Sequence, residues 1–141
     1  MNSRAIAEQI FLAGVERVLP EKLIATEMRL KDNCLVVSHL SFFLEEIDKI
    51  YVIGAGKASG MMAAEVEKIL DNRINDGQIV VKYGHSCSLK YIKVTEAGHP
   101  IPDSNGFKAT EAILDIARKA VGNDLVTVSY THLTLPTKRI V

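Results

Sequence analysis

The chain has no tryptophan, and its phenylalanines and tyrosines make up only 6% of the residues. A surface that stacks bases needs aromatic rings, so a single-stranded nucleic-acid platform is not expected. Neither sign of charge is in excess: 17 basic residues meet 17 acidic ones. That balance lacks the positive footprint on which nucleic acid or an anionic membrane surface is held. Cysteine is scarce, with Cys34 and Cys87 far apart and in no CxxC or Cys/His spacing. A disulfide scaffold and a zinc site are disfavoured, no metal ligands are assigned, and a reducing compartment is the natural setting. No apolar run nears the roughly 20 residues of a membrane span. The N-terminal segment meets Glu8 before any long apolar stretch, unlike a secretory leader. These absences predict a soluble cytoplasmic protein.

What is present is patterned. With 48% hydrophobic residues in 141, the chain can bury one proper core and is short for two domains. A helix is predicted from Arg4 to Val18, with Ile6, Ile10, Phe11 and Val18 near one face, and Pro20 ends it. Met28-Arg29-Leu30 and Cys34 to Val37, separated by Lys31-Asp32-Asn33, suggest a small hairpin. Ile50 to Ile53 is a buried strand, followed by a glycine turn and a helix that buries Met62, Val66, Ile69 and Leu70. Further strands are predicted over Gly77–Lys82 and Ile92–Glu96, with a loop at Tyr83–Cys87 between them. The proline-punctuated segment Gly98–Gly106 is another loop. The helix after it carries Ala109, Ile113, Ile116, Ala117 and Ala120 as its buried stripe, and Gly122 ends it. This order predicts an α/β fold: a Rossmann-like three-layer sandwich with a mostly parallel sheet. Ligands in such folds bind beyond the carboxyl ends of the strands, where these loops lie.

After Asp124 one more buried strand is due, and Leu125-Val126 begins it. The residues Val128 to Thr137 then spell the translation of a transposon-end sequencing adapter, GTC-TCT-TAT-ACA-CAT-CTG-ACG-CTG-CCG-ACG. Residues 127–141, His132 included, are therefore set aside as an artefactual tail, as an expression scar would be. Residues 1–126 become an incomplete N-terminal domain, truncated before its sheet is finished.

Gly54-Ala55-Gly56-Lys57-Ala58-Ser59-Gly60 holds the strongest chemical signal. A strand, a sharp turn and a helix N-terminus present amides and a positive dipole end to an anion, and Lys57 adds a full charge. It is not a P-loop, because Tyr51 and Ala58 replace the first glycine and the Ser/Thr of GxxxxGK[ST]. It is an imperfect dinucleotide fingerprint, because Ser59 takes the place of the third glycine. Alternatively the glycines only permit tight packing and Lys57 is solvated. His85 could polarise a substrate oxygen or merely sit at the surface. The prolines at 100 and 102 hold His99 and Asp103 in a fixed relation, yet Asp103 also suits the cap of the next helix.

Phe11-Leu12-Ala13-Gly14-Val15, Val52–Ala58, Tyr83-Gly84-His85 and Glu96–Gly106, in this order, resemble one family: the glycerate 2-kinases with an N-terminal glycerate kinase domain and a downstream MOFRL domain. The resemblance covers Ala5 to Val126. It implies ATP-dependent phosphorylation of D-glycerate, with Mg²⁺, in a cleft between two α/β domains. Lys57 carries over as the catalytic lysine, with Gly54, Gly56 and Lys57 binding the nucleotide. His85, His99 and Asp103 transfer as candidate substrate contacts. The family's Ser-Gly-Gly-Gly-Ser-type loop is expected after the last strand, where the adapter-like residues stand, so this chain by itself is expected to be inactive. Some relatives are labelled hydroxypyruvate reductases, which leaves an NAD(P)-dependent reductase as an alternative. Asp76 falls near the fingerprint's usual acidic position but precedes the next strand. A non-catalytic α/β binding module is the third reading.

Overall fold

The computed structural model describes residues 2–130. Asn2 caps helix α1 (Ser3–Arg17), its side-chain oxygen accepting from the Arg4 amide at 3.1 Å. Pro20 then opens α2 (Pro20–Glu27), where its missing N–H costs nothing and its fixed φ suits the first helical turn. The expected hairpin forms from β1 (Met28–Lys31) and β2 (Cys34–Val37). Its turn residues Asp32 and Asn33 both take positive φ, at 47° and 62°, as a type I′ turn requires. A third strand, β3 (Leu40–Phe43), pairs antiparallel with β2 and was not expected. Its two-residue turn places Ser38 at φ 52°, where glycine is usual, so the sequence carries no turn signal there.

The second sheet consists of β4 (Ile50–Ala55), β5 (Ile74–Lys82), β6 (Lys93–Ala97) and β7 (Leu125–Tyr130), ordered β6-β5-β4-β7 and parallel throughout. Helix α3 (Ser59–Leu70) links β4 to β5, and α4 (Ser104–Lys119) links β6 to β7. The two crossovers run in opposite directions across the sheet. Right-handedness then puts their helices on opposite faces, giving the three layers. On the α3 face, Ala63, Val66 and Leu70 pack with Ile50, Val52, Ile79 and Val81. Met28 and Leu35 of the small sheet join the same cluster, so α3 is covered from both sides. Strand alternation turns Tyr51 and Gln78 the other way, toward α4, whose Ala109 and Ile116 are buried.

Several expectations need correction. No residue of α1 is buried; Ile10 and Phe11 are each 69% exposed. Its apolar residues run around the helix instead of forming one stripe, so no single face can seal against a neighbour. β5 starts at Ile74 because Gly77 sits inside the strand, where a Cβ would come within 2.9 Å of the Val52 carbonyl oxygen. The loop expected to reach Gly106 ends at Asp103. On α4, Ala117 is exposed and Ile113 only half-buried. Residues 127–130 continue β7 and pair in register with Val52 to Ala55. Alternating β-formers such as Thr127-Val128-Ser129-Tyr130 take a strand readily whatever their origin. The remainder of the segment set aside, with His132, lies outside the described residues.

Candidate anion site at the switch point

From β4 the chain moves to β5 and β6 on one side, then returns to lay β7 on the other. Loops leaving β4 and β7 therefore diverge, and a crevice opens at the carboxyl end of the sheet. A cleft of about 550 Å³ lies there, reached by residues from the ends of all four strands.

The turn after β4 is pinned on both sides. Gly56, at φ 115°, donates its amide to the Val80 carbonyl of β5 at 2.9 Å. Across the turn, the Ser59 hydroxyl donates to the Ser129 carbonyl of β7 at 2.8 Å, fully buried. The residue replacing the fingerprint's third glycine thus ties α3 to β7. Gly54 is a strand residue set against that same carbonyl, which a Cβ would overlap. Gly60 backs onto the loop after β5, where a Cβ would meet the His85 carbonyl at 3.2 Å and the Cys87 sulfur at 3.3 Å. Burial, then the Glu67 charge, pushes the Cys87 thiol up, which disfavours the thiolate.

Lys57 extends from the turn as an exposed cation on the cleft wall. Lys82, the last residue of β5, and His99, after β6, line the same space. Among the described residues neither lysine has an ion-pair partner, and no carboxylate lines the cleft. The nearby Asp103 is otherwise engaged. It caps α4, accepting from the Gly106 amide at 2.9 Å, and takes the Tyr83 hydroxyl at 2.7 Å. Asn105 donates to that hydroxyl at 3.0 Å. The Gly106 amide and then the Tyr83 hydroxyl hold the Asp103 carboxyl below its ordinary range.

Of the residues singled out from sequence, Gly56, Lys57 and His99 meet at the cleft. Gly54, His85 and Asp103 do not line it. His85 is exposed and donates its backbone amide to Lys82 at 3.0 Å. Lys82 was missed because a lysine ending a strand reads as ordinary solvation. Its only signal was position, at a strand's carboxyl end. Tyr130, another lining residue, lay in the segment set aside.

The wall's cations suit phosphate oxygens, so the ATP expectation fits this donor set. Magnesium does not fit it. Mg²⁺ is held through carboxylates and substrate phosphates. The cleft offers no carboxylate, and the described residues hold no group of three His, Cys, Asp or Glu side chains that could bind an ion.

Residues 6–131 match the family described as a domain of unknown function, DUF4147. The chain belongs to that family. It is 35% identical over 128 residues to a glycerate 2-kinase of Pyrococcus horikoshii, covering 91% of this chain and 28% of that protein. A crystal structure of a protein from Pyrococcus horikoshii OT3 superposes with a TM-score of 0.79 at 35% identity, over 91% of this chain and 28% of that one. A putative hydroxypyruvate reductase of Agrobacterium vitis is 30% identical over 128 residues, covering 89% of this chain and 26% of that protein. The DUF4147 chain therefore spans little more than a quarter of the length of these relatives. No helix among the described residues is long and apolar enough to cross a membrane.

Proposed function

We propose that this domain supplies the anion-binding part of an ATP-dependent kinase acting on D-glycerate, with Lys57 as its catalytic cation. The observation that carries this reading is a switch-point cleft walled by Lys57, Lys82 and His99 without a carboxylate. Phosphoryl transfer needs positioning and charge neutralisation. A turn anchored to strands on both sides supplies the first, and the Lys57 ammonium supplies the second. The relatives' kinase names favour the same chemistry.

The reductase reading has a relative's name behind it but lacks its acid. Asp76 lies opposite Tyr51, near the amino end of β4, away from the cleft. Its carboxylate accepts the Gly77 amide at 2.9 Å and pairs with Lys119 at 3.6 Å. A ribose at the Gly54–Gly60 turn cannot be reached from there.

We also propose that the 141-residue chain does not turn over D-glycerate alone, since its residues after Tyr130 contain no glycine to form a second anion loop. Equilibrium dialysis tests the reading: ATP should bind the chain, Lys57→Ala should weaken it, and NADH should not bind. Binding of NADH but not ATP would reverse the assignment. Coupled-assay detection of phosphoglycerate from the purified chain would refute its inactivity.

A further inference from the structure

We propose that Lys82 is the second cation of this site, and that Lys57 and Lys82 together take a polyphosphate: the triphosphate of the nucleotide, not the carboxylate of the hydroxy acid. The nucleotide rests on the kinase reading above; the pairing of cations rests on the cleft itself. Ala55 of β4 pairs with Val80 of β5, and each lysine follows its strand's paired residue by two positions. Lys82 ends β5 and Lys57 follows the Gly56 turn after β4, so both cations stand at the carboxyl end of the sheet and line the cleft wall.

Among the described residues neither lysine is ion-paired, and the two carboxylates of the neighbouring segments keep their charge but are turned to other partners. Glu96, on the strand beside Lys82, accepts the Gly84 amide at 2.7 Å. Asp103 is engaged by the Gly106 amide and the Tyr83 hydroxyl. A glycerate carboxylate carries one charge and leaves a lysine unbalanced, whereas a phosphate chain carries enough for both. Lysine also binds phosphate oxygens readily as a point charge.

Calorimetric titration of the chain with inorganic tripolyphosphate, ATP and D-glycerate tests this. The variants are Lys57→Ala, Lys82→Ala, Lys82→Arg and, as control, Lys93→Ala on the exposed start of β6, each checked for native circular dichroism. Tripolyphosphate should bind more tightly than D-glycerate. Lys82→Ala should weaken tripolyphosphate and ATP about tenfold, by loss of one close charge pair. Lys82→Arg should retain most of the affinity, and Lys93→Ala should match the wild type. If Lys57→Ala weakens tripolyphosphate and Lys82→Ala does not, the role of Lys82 is overturned and the kinase reading stands. A larger effect of Lys82→Ala on D-glycerate than on tripolyphosphate overturns the assignment of ligand. Tripolyphosphate binding that ignores both lysines sinks the anion cleft and the kinase reading with it.

Discussion

Glu67 of α3 accepts three consecutive backbone amides from the segment leading into β6: Lys90 at 2.7 Å, Tyr91 at 2.9 Å and Ile92 at 3.2 Å. One carboxylate thus does for a strand entrance what a cap does for a helix, and it fastens the end of the β5–β6 connection to α3. In Glu67→Ala the three donors lose their acceptor. The Lys90 amide, in an exposed residue, recovers a water partner; Ile92, only 3% exposed, recovers little. A hydrogen bond to a charged group is worth about 1.5–3 kcal/mol, so one fully and one partly uncompensated amide cost about 2–4 kcal/mol in all. For a domain of this size that lowers Tm by roughly 10 °C. Urea unfolding followed by circular dichroism should show a lower midpoint with an unchanged slope, because the surface exposed on unfolding is the same. Glu67→Gln, which keeps one acceptor oxygen but turns donors toward donors, should fall between. Asp115→Ala is the control: its exposed carboxylate meets the equally exposed Arg118 at 3.1 Å, and its loss should leave the midpoint nearly unmoved. Stability of Glu67→Ala within about 0.5 kcal/mol of wild type would refute the capping argument.

Gly54→Ala should cost about 3 kcal/mol or more, because its methyl group meets the fixed Ser129 carbonyl and forces β4 from β7. Normal stability with lost ATP binding would return Gly54 to the ligand cradle. The Asp103 carboxyl titrates below its ordinary 3.8 in the folded chain, so its stabilisation is complete above that pH and is lost as pH falls through the folded value. The stability gap between wild type and Asp103→Asn should therefore shrink below pH 3.8; a gap unchanged in acid titration would contradict the favouring of the ionised carboxyl by the Gly106 amide and the Tyr83 hydroxyl. Ser59→Gly restores the dinucleotide fingerprint but removes the bond to Ser129, so it should destabilise the chain and weaken ATP. A gain in NADH affinity would favour the reductase reading.

The β4–α3 unit was legible because its signals agree: β-branched residues, a glycine turn, then apolar spacing in which Val66 and Leu70 are buried as expected. β3 was not, since Ser38-His39 turns without glycine and Leu40 to Phe43 is too short to show a period. The exposure of α1 was hidden for another reason. Spacing names an apolar face but not the surface it will meet, and within residues 2–130 α1 packs chiefly beside α2. At the site, Lys57 and His99 stood out because they sit in loops between strongly patterned elements. Lys82 joins them only when parallel pairing sets β5 beside β4, a contact no local pattern encodes. Both readings of Asp103 were open from sequence, and its contact with the Tyr83 hydroxyl, twenty positions away in the chain, shows how the cap is engaged.

The glycines of the turn look from sequence like a cradle of free amides, but the hydrogen bonds assign them elsewhere. The Gly56 amide goes to Val80, and the Ser59 amide goes to the Gly56 carbonyl at 3.2 Å. Gly54 and Ser59 both serve the junction with Ser129. Much of the backbone that would form an anion nest is spent on holding β4, β5 and β7 together at the switch point. What remains for a ligand on this wall is side-chain charge on a rigid mount. Affinity built that way comes from long-range Coulomb attraction more than from directed amides, so it is screened as ionic strength rises. The anchoring also explains why an imperfect fingerprint is no defect here. Ser59 departs from the glycine of the dinucleotide motif where its hydroxyl closes the sheet, and the turn it stabilises presents a lysine instead of a bare backbone.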